Sequence, residues 1–422
     1  MKKYDLIVVG GGFSGCAAAV SAARSGLKVL LAEKSNALGG AANICLVNPF
    51  TRYYTHEEDG SRKDLSAGFF KEITDELEKN GAYYQKKRAD ETEIFNEEYL
   101  KLILNRKLTE SGADIIFNSY LTEAKTDGEK IKSVTFACVS GNVTFEAERF
   151  IDASGDGALA YITGCLYKLG RESDSLCQPM TLCFRIGNVD MEKYCEEKAK
   201  ITPLYKKMRL EGKIKNIRED VLIFRNVFPN VLHFNSTRIV RRNPTDVFDV
   251  TAAEIEAREQ VFELMDFLKS NFKAFKNADV LSTAMQIGVR ESRMFEGEYT
   301  LTKEDLMSCR RFDDSVALGN YDIDIHNPEG SGTSHYYFKD GEYYTIPYRC
   351  MVVKKYSNLL VTGRCMSVTH EAQASVRVMA IVCCLGEAAG YAAAVAAKNN
   401  SSMSDINIDE LHKLLLSNGA LF

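Results

Sequence analysis

An α/β fold built from both ends of the chain around an α+β insert is what the sequence predicts, and three observations predict it. Residues 5–33 run strand, glycine turn, helix, strand. Near the other end, Asn358-Leu-Leu-Val-Thr362 stops at Gly363-Arg364 and leads into an Ala-rich helical segment, so strand, glycine and helix recur there. Between these parts, from residue 166 to about 344, charged and aromatic residues increase and strand–helix alternation fades. At 422 residues the chain exceeds what one hydrophobic core organises, so more than one domain is expected.

The first unit opens with the apolar run Leu6 to Val9 and turns through Gly10-x-Gly12-x-x-Gly15, with Phe13 and Ser14 inside the turn. The Ala-rich stretch Cys16 to Ser25 reads as a helix, and a second apolar run closes on Glu33-Lys34. This is the dinucleotide fingerprint in its full context. Gly10 permits the turn, Gly12 lets backbone approach a pyrophosphate, and Gly15 lets helix and strand pack closely. Phosphates would sit on the helix N-terminus, where free N–H groups and the dipole favour anions. Glu33 ends the next strand, in position to accept hydrogen bonds from both hydroxyls of an adenosine ribose.

Gly39-Gly40-Ala41-Ala42-Asn43 follows as a loop of small residues. Residues 64–80 read as an amphipathic helix, with Leu65, Phe69, Ile73 and Leu77 at four-residue spacing, and Glu97 to Ser111 as a second helix. Short runs at 115–118, 121–126, 132–139, 142–147 and 149–151 read as a small β-meander. Phe150 to Gly157 then makes another glycine turn carrying Ser154, Gly155 and Asp156. In the insert, Thr251 to Leu268 is a helix with Thr251 and Glu254 spaced as a capping box. The expected divisions are residues 1–165 and 345–422 for the nucleotide-binding domain and 166–344 for a substrate or cap domain.

Composition narrows the function. The apolar fraction of 45% and charged fraction of 26% are those of an ordinary soluble globular chain. A net charge of −5 with dispersed Lys and Arg gives no footprint for nucleic acid or an anionic membrane. Asp5 interrupts the Met-Lys-Lys start, so no signal peptide is read and a cytoplasmic location is expected. The twelve cysteines are scattered without any C-x-x-C, which fits reduced apolar fillers. Val378 to Ala397 has the length of a membrane span, but Glu387 at its centre and Gly386-x-x-x-Gly390 point to a closely packed core helix.

Taken in order, the motifs resemble a known family. They are Gly10-x-Gly12-x-x-Gly15 with Glu33, Leu38-Gly39-Gly40-Ala41, Ile151-Asp-Ala-Ser-Gly-Asp-Gly157 and Gln178-Pro-Met-Thr-Leu182. They continue with Gly288-Val-Arg-Glu-Ser-Arg293, Tyr321-Asp-Ile-Asp-Ile-His326, Ile346-Pro-Tyr-Arg349 and Asn358 to Arg364. Thr369-His370, Arg377-Val-Met and Gly386-Glu-Ala-Ala-Gly390 complete the set. Together they resemble the FAD-dependent oxidoreductases of the glutathione-reductase-type flavoprotein superfamily, over nearly the whole chain. The resemblance implies a Rossmann-like FAD-binding domain, discontinuous and drawn from both chain ends, with FAD as cofactor. The superfamily's disulfide reductases carry a C-x4-C pair just after the Gly-Gly, where this chain has Ala42 and Val47. Disulfide reduction is therefore not expected, and no second fingerprint exists for a nicotinamide domain.

Because a flavin supplies the hydride chemistry, the protein must bind, orient and move protons. The resemblance puts His370 beside the flavin ring, where an imidazole can carry a proton, or can serve as a structural hydrogen-bonding partner. Tyr348 and Arg349 follow Pro347 on the return to the cofactor domain and are expected to line the interdomain cleft. Arg290 and Arg293 would share a helix face and either clamp a substrate carboxylate or pair with Glu291, Glu296 and Glu298. Asp324 and His326 alternate on a strand, so they face one side together, without the further ligands a metal site needs. The resemblance gives Gln178 a contact to flavin or substrate, and places Asp156, Gly363, Arg364 and Arg377 at the cofactor. The final helix, opening near Ser375, would aim its N-terminus at the flavin's pyrimidine oxygen. The expected activity is hydride transfer between FAD and a small polar or carboxylated molecule, with His370 or Tyr348 moving the proton. FAD used without net redox turnover, or a flavin subunit that only passes electrons on, remain the alternatives.

Overall fold

The computed structural model describes residues 2–84 and 93–422. Its main sheet opens with β1 (Lys2–Val9), whose apolar residues are buried from Leu6 to Val9. Helix α1 (Phe13–Arg24) follows, then β2 (Val29–Ala32), parallel to β1 with Leu6 opposite Val29. Helix α2 (Phe69–Lys79) is shorter than its periodicity predicts, because residues 62–64 pair as a hairpin with 54–56 and Gly68, at φ +57°, breaks the chain just before Phe69. Helix α3 (Glu97–Ser111) has the expected bounds: the Asn96 side chain accepts from the Glu98 N–H at its start, and Gly112 ends it in the left-handed region.

The expected meander resolves differently. β3 (Asp114–Ile116) joins β2 in the parallel part of the sheet. β4 (Tyr120–Asp127) and β5 (Lys130–Cys138) form an antiparallel pair, and β6 (Gly141–Asp152) is one continuous strand where two were expected. β6 serves two neighbours along one edge: residues 141–146 pair antiparallel with β5, and 150–152 pair parallel with β13, defined below. Its other edge runs parallel to β1, Lys2 opposite Phe145 through Val9 opposite Asp152. The strand order is β3-β2-β1-β6-β5-β4, with the late strand alongside β6.

The insert has its own core. β7 (Phe184–Gly187), α4 (Met191–Leu210), β8 (Ile223–Arg225), β9 (Leu232–Phe234), α5 (Val247–Asn271) and β10 (Asp279–Thr283) make an antiparallel sheet, β8-β9-β7-β10, backed by helices. The core residues of this layer lie between Met180 and Ile287, whereas side chains from Met294 to Ile346 pack into the larger core. The independent part of the insert is thus narrower than 166–344. α5 starts four residues before Thr251: the Asp246 carboxylate, a charged cap at the positive helix end, accepts from Phe248 and Asp249, while the Thr251 hydroxyl donates back to Val247.

The chain returns through the hairpin β11 (Ile323–His326) and β12 (Thr333–Tyr336), then β13 (Leu359–Val361) beside β6. The last helical region is split into α6 (His370–Val376), capped by Thr369, and α7 (Met379–Asn399). α7 has a mean hydropathy of 1.7 and is buried within the protein against α1. The two glycines set that contact: a Cβ at Gly386 would lie 2.0 Å from the Ser14 carbonyl oxygen, and one at Gly390 2.3 Å from that of Ala18.

Candidate active site

Where β1, β6 and β13 end, their loops enclose a groove that runs into a deeper cavity beneath the insert. The groove is lined by the glycine turn (Gly10, Gly12, Phe13, Ser14), by Glu33 and Lys34, and by Gly39, Gly40 and Ala41. Ser154, Gly155 and Asp156 of the second turn and Gly363, Arg364 and Arg377 of the return segment complete it. Gly10 has φ +102°, and a Cβ at Gly15 would sit 1.8 Å from the Gly10 carbonyl oxygen, so helix and turn meet without space for a side chain. Gly12 is different: nothing lies within 4 Å of the position of its missing Cβ. As the N-cap of α1 it supplies no side-chain cap, so the first N–H groups of the helix face open groove. The Glu33 carboxylate, buried at the end of β2, accepts from the Gly11 N–H at 2.5 Å and from Ser35. Burial would raise the Asp156 carboxyl, but Arg364, bonded at 2.6 Å, and Lys34 at 3.9 Å outweigh it and hold Asp156 below the usual carboxylate range. An uncapped helix terminus, a carboxylate lining the groove at the end of β2 and close backbone on both sides fit a dinucleotide.

Gly15, Ala42 and Ser375 do not line the groove. Gly15 packs under the turn, and Ala42 is buried in the core. The Ser375 hydroxyl donates to the Tyr321 carbonyl oxygen and accepts from the Tyr344 hydroxyl at 2.6 Å. Because the final helix breaks at Arg377, the helix end that meets the groove is that of α7, at Met379.

The cavity measures about 430 Å³, and Ala41, Val289, Arg364, Arg377 and Met379 line both it and the groove. Arg290 lies within it at a bend of the chain rather than on a helix. Its Nη1 donates to the Pro179 carbonyl oxygen and the Thr181 hydroxyl, both at 2.6 Å, and its Nη2 to Asn235 at 3.4 Å. All three acceptors are neutral. Among the described residues no carboxylate lies within ion-pair distance of this guanidinium. Burial, with Arg377 and Arg218 nearby, pulls its pKa down to about 9, so it is charged at neutral pH.

Asp324 and His326 face the cavity together, as the alternation of β11 predicts. The Asp324 Oδ2 accepts from the Tyr321 hydroxyl at 3.1 Å and lies 3.2 Å from His326 Nε2 and 3.9 Å from Arg377 Nη2. Burial would raise this carboxyl, yet the His326 hydrogen bond with Arg377 and Arg290 holds it well below the usual range. Burial, reinforced by Arg290, drives His326 down to about 3. Arg218 and Asn235, which the sequence does not single out, and Tyr321, which it gives only as the start of a motif, also line the cavity. They come from three distant segments, and no spacing links them.

Five predicted residues lie elsewhere. His370 places Nδ1 at 2.7 Å from the buried Glu291 carboxylate and opens onto a separate surface cleft. The short helical turn Tyr348–Cys350 points the Tyr348 hydroxyl inward, where it donates to the Met403 carbonyl oxygen at 2.6 Å. Arg349 pairs with Asp314 at 2.9 Å. Arg293, on a strand rather than on a helix face shared with Arg290, stacks over Tyr161 at 3.8 Å and donates to the Asp156 carbonyl oxygen. Gln178 is buried and donates to Gln373 at 3.0 Å, outside the cavity lining.

Comparison with known proteins gives the family. The chain matches the family described as FAD dependent oxidoreductase over residues 5–415. Among solved structures it is similar to p-nitrophenol 4-monooxygenase from Pseudomonas putida DLL-E4, with 9% identity, TM-score 0.51, and coverage of 99% of this chain and 85% of that one. It is similar to a flavin-dependent brominase at 12% identity and TM-score 0.50, covering 99% of this chain and 84% of that one. A geranylgeranyl bacteriochlorophyll reductase-like protein from Thermoplasma acidophilum aligns at 14% identity and TM-score 0.48, with 99% and 83% covered. At these identities the first two likenesses speak for the fold alone. The family match covers nearly the entire chain, so this protein belongs to the FAD-dependent oxidoreductases, with FAD as its cofactor.

Proposed function

We propose that this enzyme transfers a hydride between FAD and a small carboxylated organic molecule held by Arg290. One observation carries the reading: Arg290 is a cation deep in a cavity, satisfied only by neutral acceptors, and the cavity opens directly into the cofactor groove. A charge taken out of water without a counter-ion is costly, and a substrate carboxylate supplies one. Bound FAD supplies the two-electron acceptor or donor. In this reading the N–H groups from Gly12 to Gly15 hold its pyrophosphate and Glu33 its adenosine ribose. Asp156 and Arg364 lie toward the ribityl–phosphate region. Arg290 binds the substrate carboxylate and fixes its orientation to the groove. Leu222 and Phe224, from the insert, keep water from the apolar end. His326, neutral, holds its proton on Nε2 against Asp324.

The test is the visible spectrum of the purified yellow protein, recorded anaerobically against carboxylic acids and their amides. The expected result is bleaching by at least one saturated carboxylate, or reoxidation of the reduced protein by an unsaturated one. The matching amide should be inactive, and R290Q should require about 100-fold more carboxylate for the same response while keeping its flavin. Redox turnover with neutral compounds only, unaltered in R290Q, overturns the proposal.

A further inference from the structure

Arg290 and Arg377 both line the cavity, and one carboxylate, that of Asp324, faces them. The other charged groups around the cavity are matched with partners of their own. Arg218 meets Asp220 at 2.9 Å, and Arg238 meets Glu219 at 3.3 Å. Arg364 meets Asp156 at 2.6 Å, Arg52 meets Asp340 at 2.7 Å, and Glu93 meets Arg62 at 2.6 Å. His326 adds no charge, and its geometry says why. Its Nδ1 lies 2.8 Å from Arg238 Nη2, a group that can only donate, so Nδ1 accepts and the ring proton sits on Nε2, against Asp324. The Thr333 hydroxyl, also near Nδ1, donates to Glu219. The Tyr321 hydroxyl donates to the same Asp324 oxygen. Behind Asp324, His335 Nε2 lies 3.7 Å from Oδ1, and its Nδ1 is engaged with Asp322 at 2.6 Å, outside the cavity.

Two cavity cations against one built-in anion leave a single positive charge for a ligand to neutralise. We propose, building on the carboxylate reading above, that Asp324 is an internal counter-ion that restricts the cavity to monoanions, namely one carboxylate on an apolar body. Asp324 occupies Arg377 much as a second substrate carboxylate would. A dicarboxylate must then bring its second charge against Asp324 in a cavity where little water screens the repulsion. The walls agree with an apolar body, because Phe50, Leu222, Phe224 and Val289 supply much of the remaining surface.

Three probes sharing one phenyl group separate the cases: phenylacetate, phenylmalonate and phenylacetamide, titrated calorimetrically into the FAD-loaded protein. Phenylacetate is expected to bind, with the dicarboxylate and the amide each weaker by about tenfold or more. In D324N the preference shifts toward phenylmalonate by about tenfold, because the asparagine keeps an acceptor for Tyr321 and His326 but frees Arg377. R377Q, which leaves Asp324 alone against Arg290, weakens phenylacetate by about tenfold. The wild-type comparison stands without either variant. If phenylmalonate binds the wild type as tightly as phenylacetate, or if folded D324N keeps the wild-type ratio, the counter-ion proposal falls while the carboxylate reading survives. If phenylacetamide binds best, both fall.

Discussion

Glu387 sits in the middle of α7, almost fully buried, and its Oε2 accepts the Phe69 backbone N–H at 3.1 Å. Gly68 offers α2 no side-chain cap, so a carboxylate from another helix takes that place. Burial is the largest influence on this group and pushes its pKa up to about 7, against the pull of the Phe69 N–H and Arg24. The usual value is 4.5, so the difference corresponds to about 3 kcal/mol. The direction follows from proton binding. Below pH 4.5 both folded and unfolded states are protonated, and nothing is lost. Between 4.5 and 7 the unfolded chain releases a proton that the folded one retains, so stability falls as pH rises, and above 7 the loss is complete. E387Q keeps the size and the acceptor for Phe69 but cannot ionise. It should match the wild type near pH 4.5 and exceed it by up to about 3 kcal/mol at pH 8. Urea denaturation of both FAD-loaded proteins at pH 5 and pH 8 measures this as a difference of differences, which cancels the other titrating groups. A wild-type-to-variant gap that does not change between the two pH values would refute the buried-carboxylate argument.

Other outcomes follow from the same contacts. R290Q should raise KM for the carboxylated substrate by about 100-fold, since it removes the cation that pairs with it, while the ratio of flavin to protein absorbance stays the same. G12D places an acceptor at the open N-cap of α1, where space exists for the side chain, so thermal unfolding of the flavin-free protein should be unchanged or improved. The same carboxylate repels the pyrophosphate, and the protein should purify colourless. G386A drives a methyl into the Ser14 carbonyl and should cost about 3 kcal/mol or more in denaturant unfolding. Retention of wild-type stability would mean that α1 and α7 pack less closely than their backbones indicate.

What the sequence made legible is what local geometry controls. The turn Gly10-x-Gly12-x-x-Gly15, the helix behind it and Glu33 lie within one βαβ unit, so residue type and spacing are enough to place them. The alternation of Asp324 and His326 was readable for the same reason, since a strand sends every second side chain to one face. The single strand β6 was not, because Glu148-Arg149 interrupts its apolar pattern where it passes from its pairing with β5 to that with β13. Asp114–Ile116 reads like a strand of the following hairpin, and only the open edge of β2 claims it for the parallel sheet. The cavity was the least legible part. Arg218 and Asn235 come from the insert, Tyr321 and Asp324 from the return segment, and only tertiary packing assembles them.

His370 and Gln178, predicted at the chemistry, are placed instead to hold Arg290. The Gln373 side chain donates to the Arg290 carbonyl oxygen at 2.7 Å and accepts from Gln178 at 3.0 Å. The Gln178 N–H donates to Glu291 at 2.8 Å, and the other oxygen of that carboxylate meets His370. Glu291 and Gln373 are fully buried, so each of these bonds is made away from water. The web joins the two crossings between insert and cofactor domain, at residues 178 and 290–291, to the short helix α6. A guanidinium satisfied only by neutral acceptors could drift toward Asp324, and fixing its backbone on both sides keeps it available for a ligand. The motifs that identify the family and the cation proposed to hold the substrate are therefore parts of one construction. On the proposed reading, the residues between them keep one positive charge available to a ligand beside the groove.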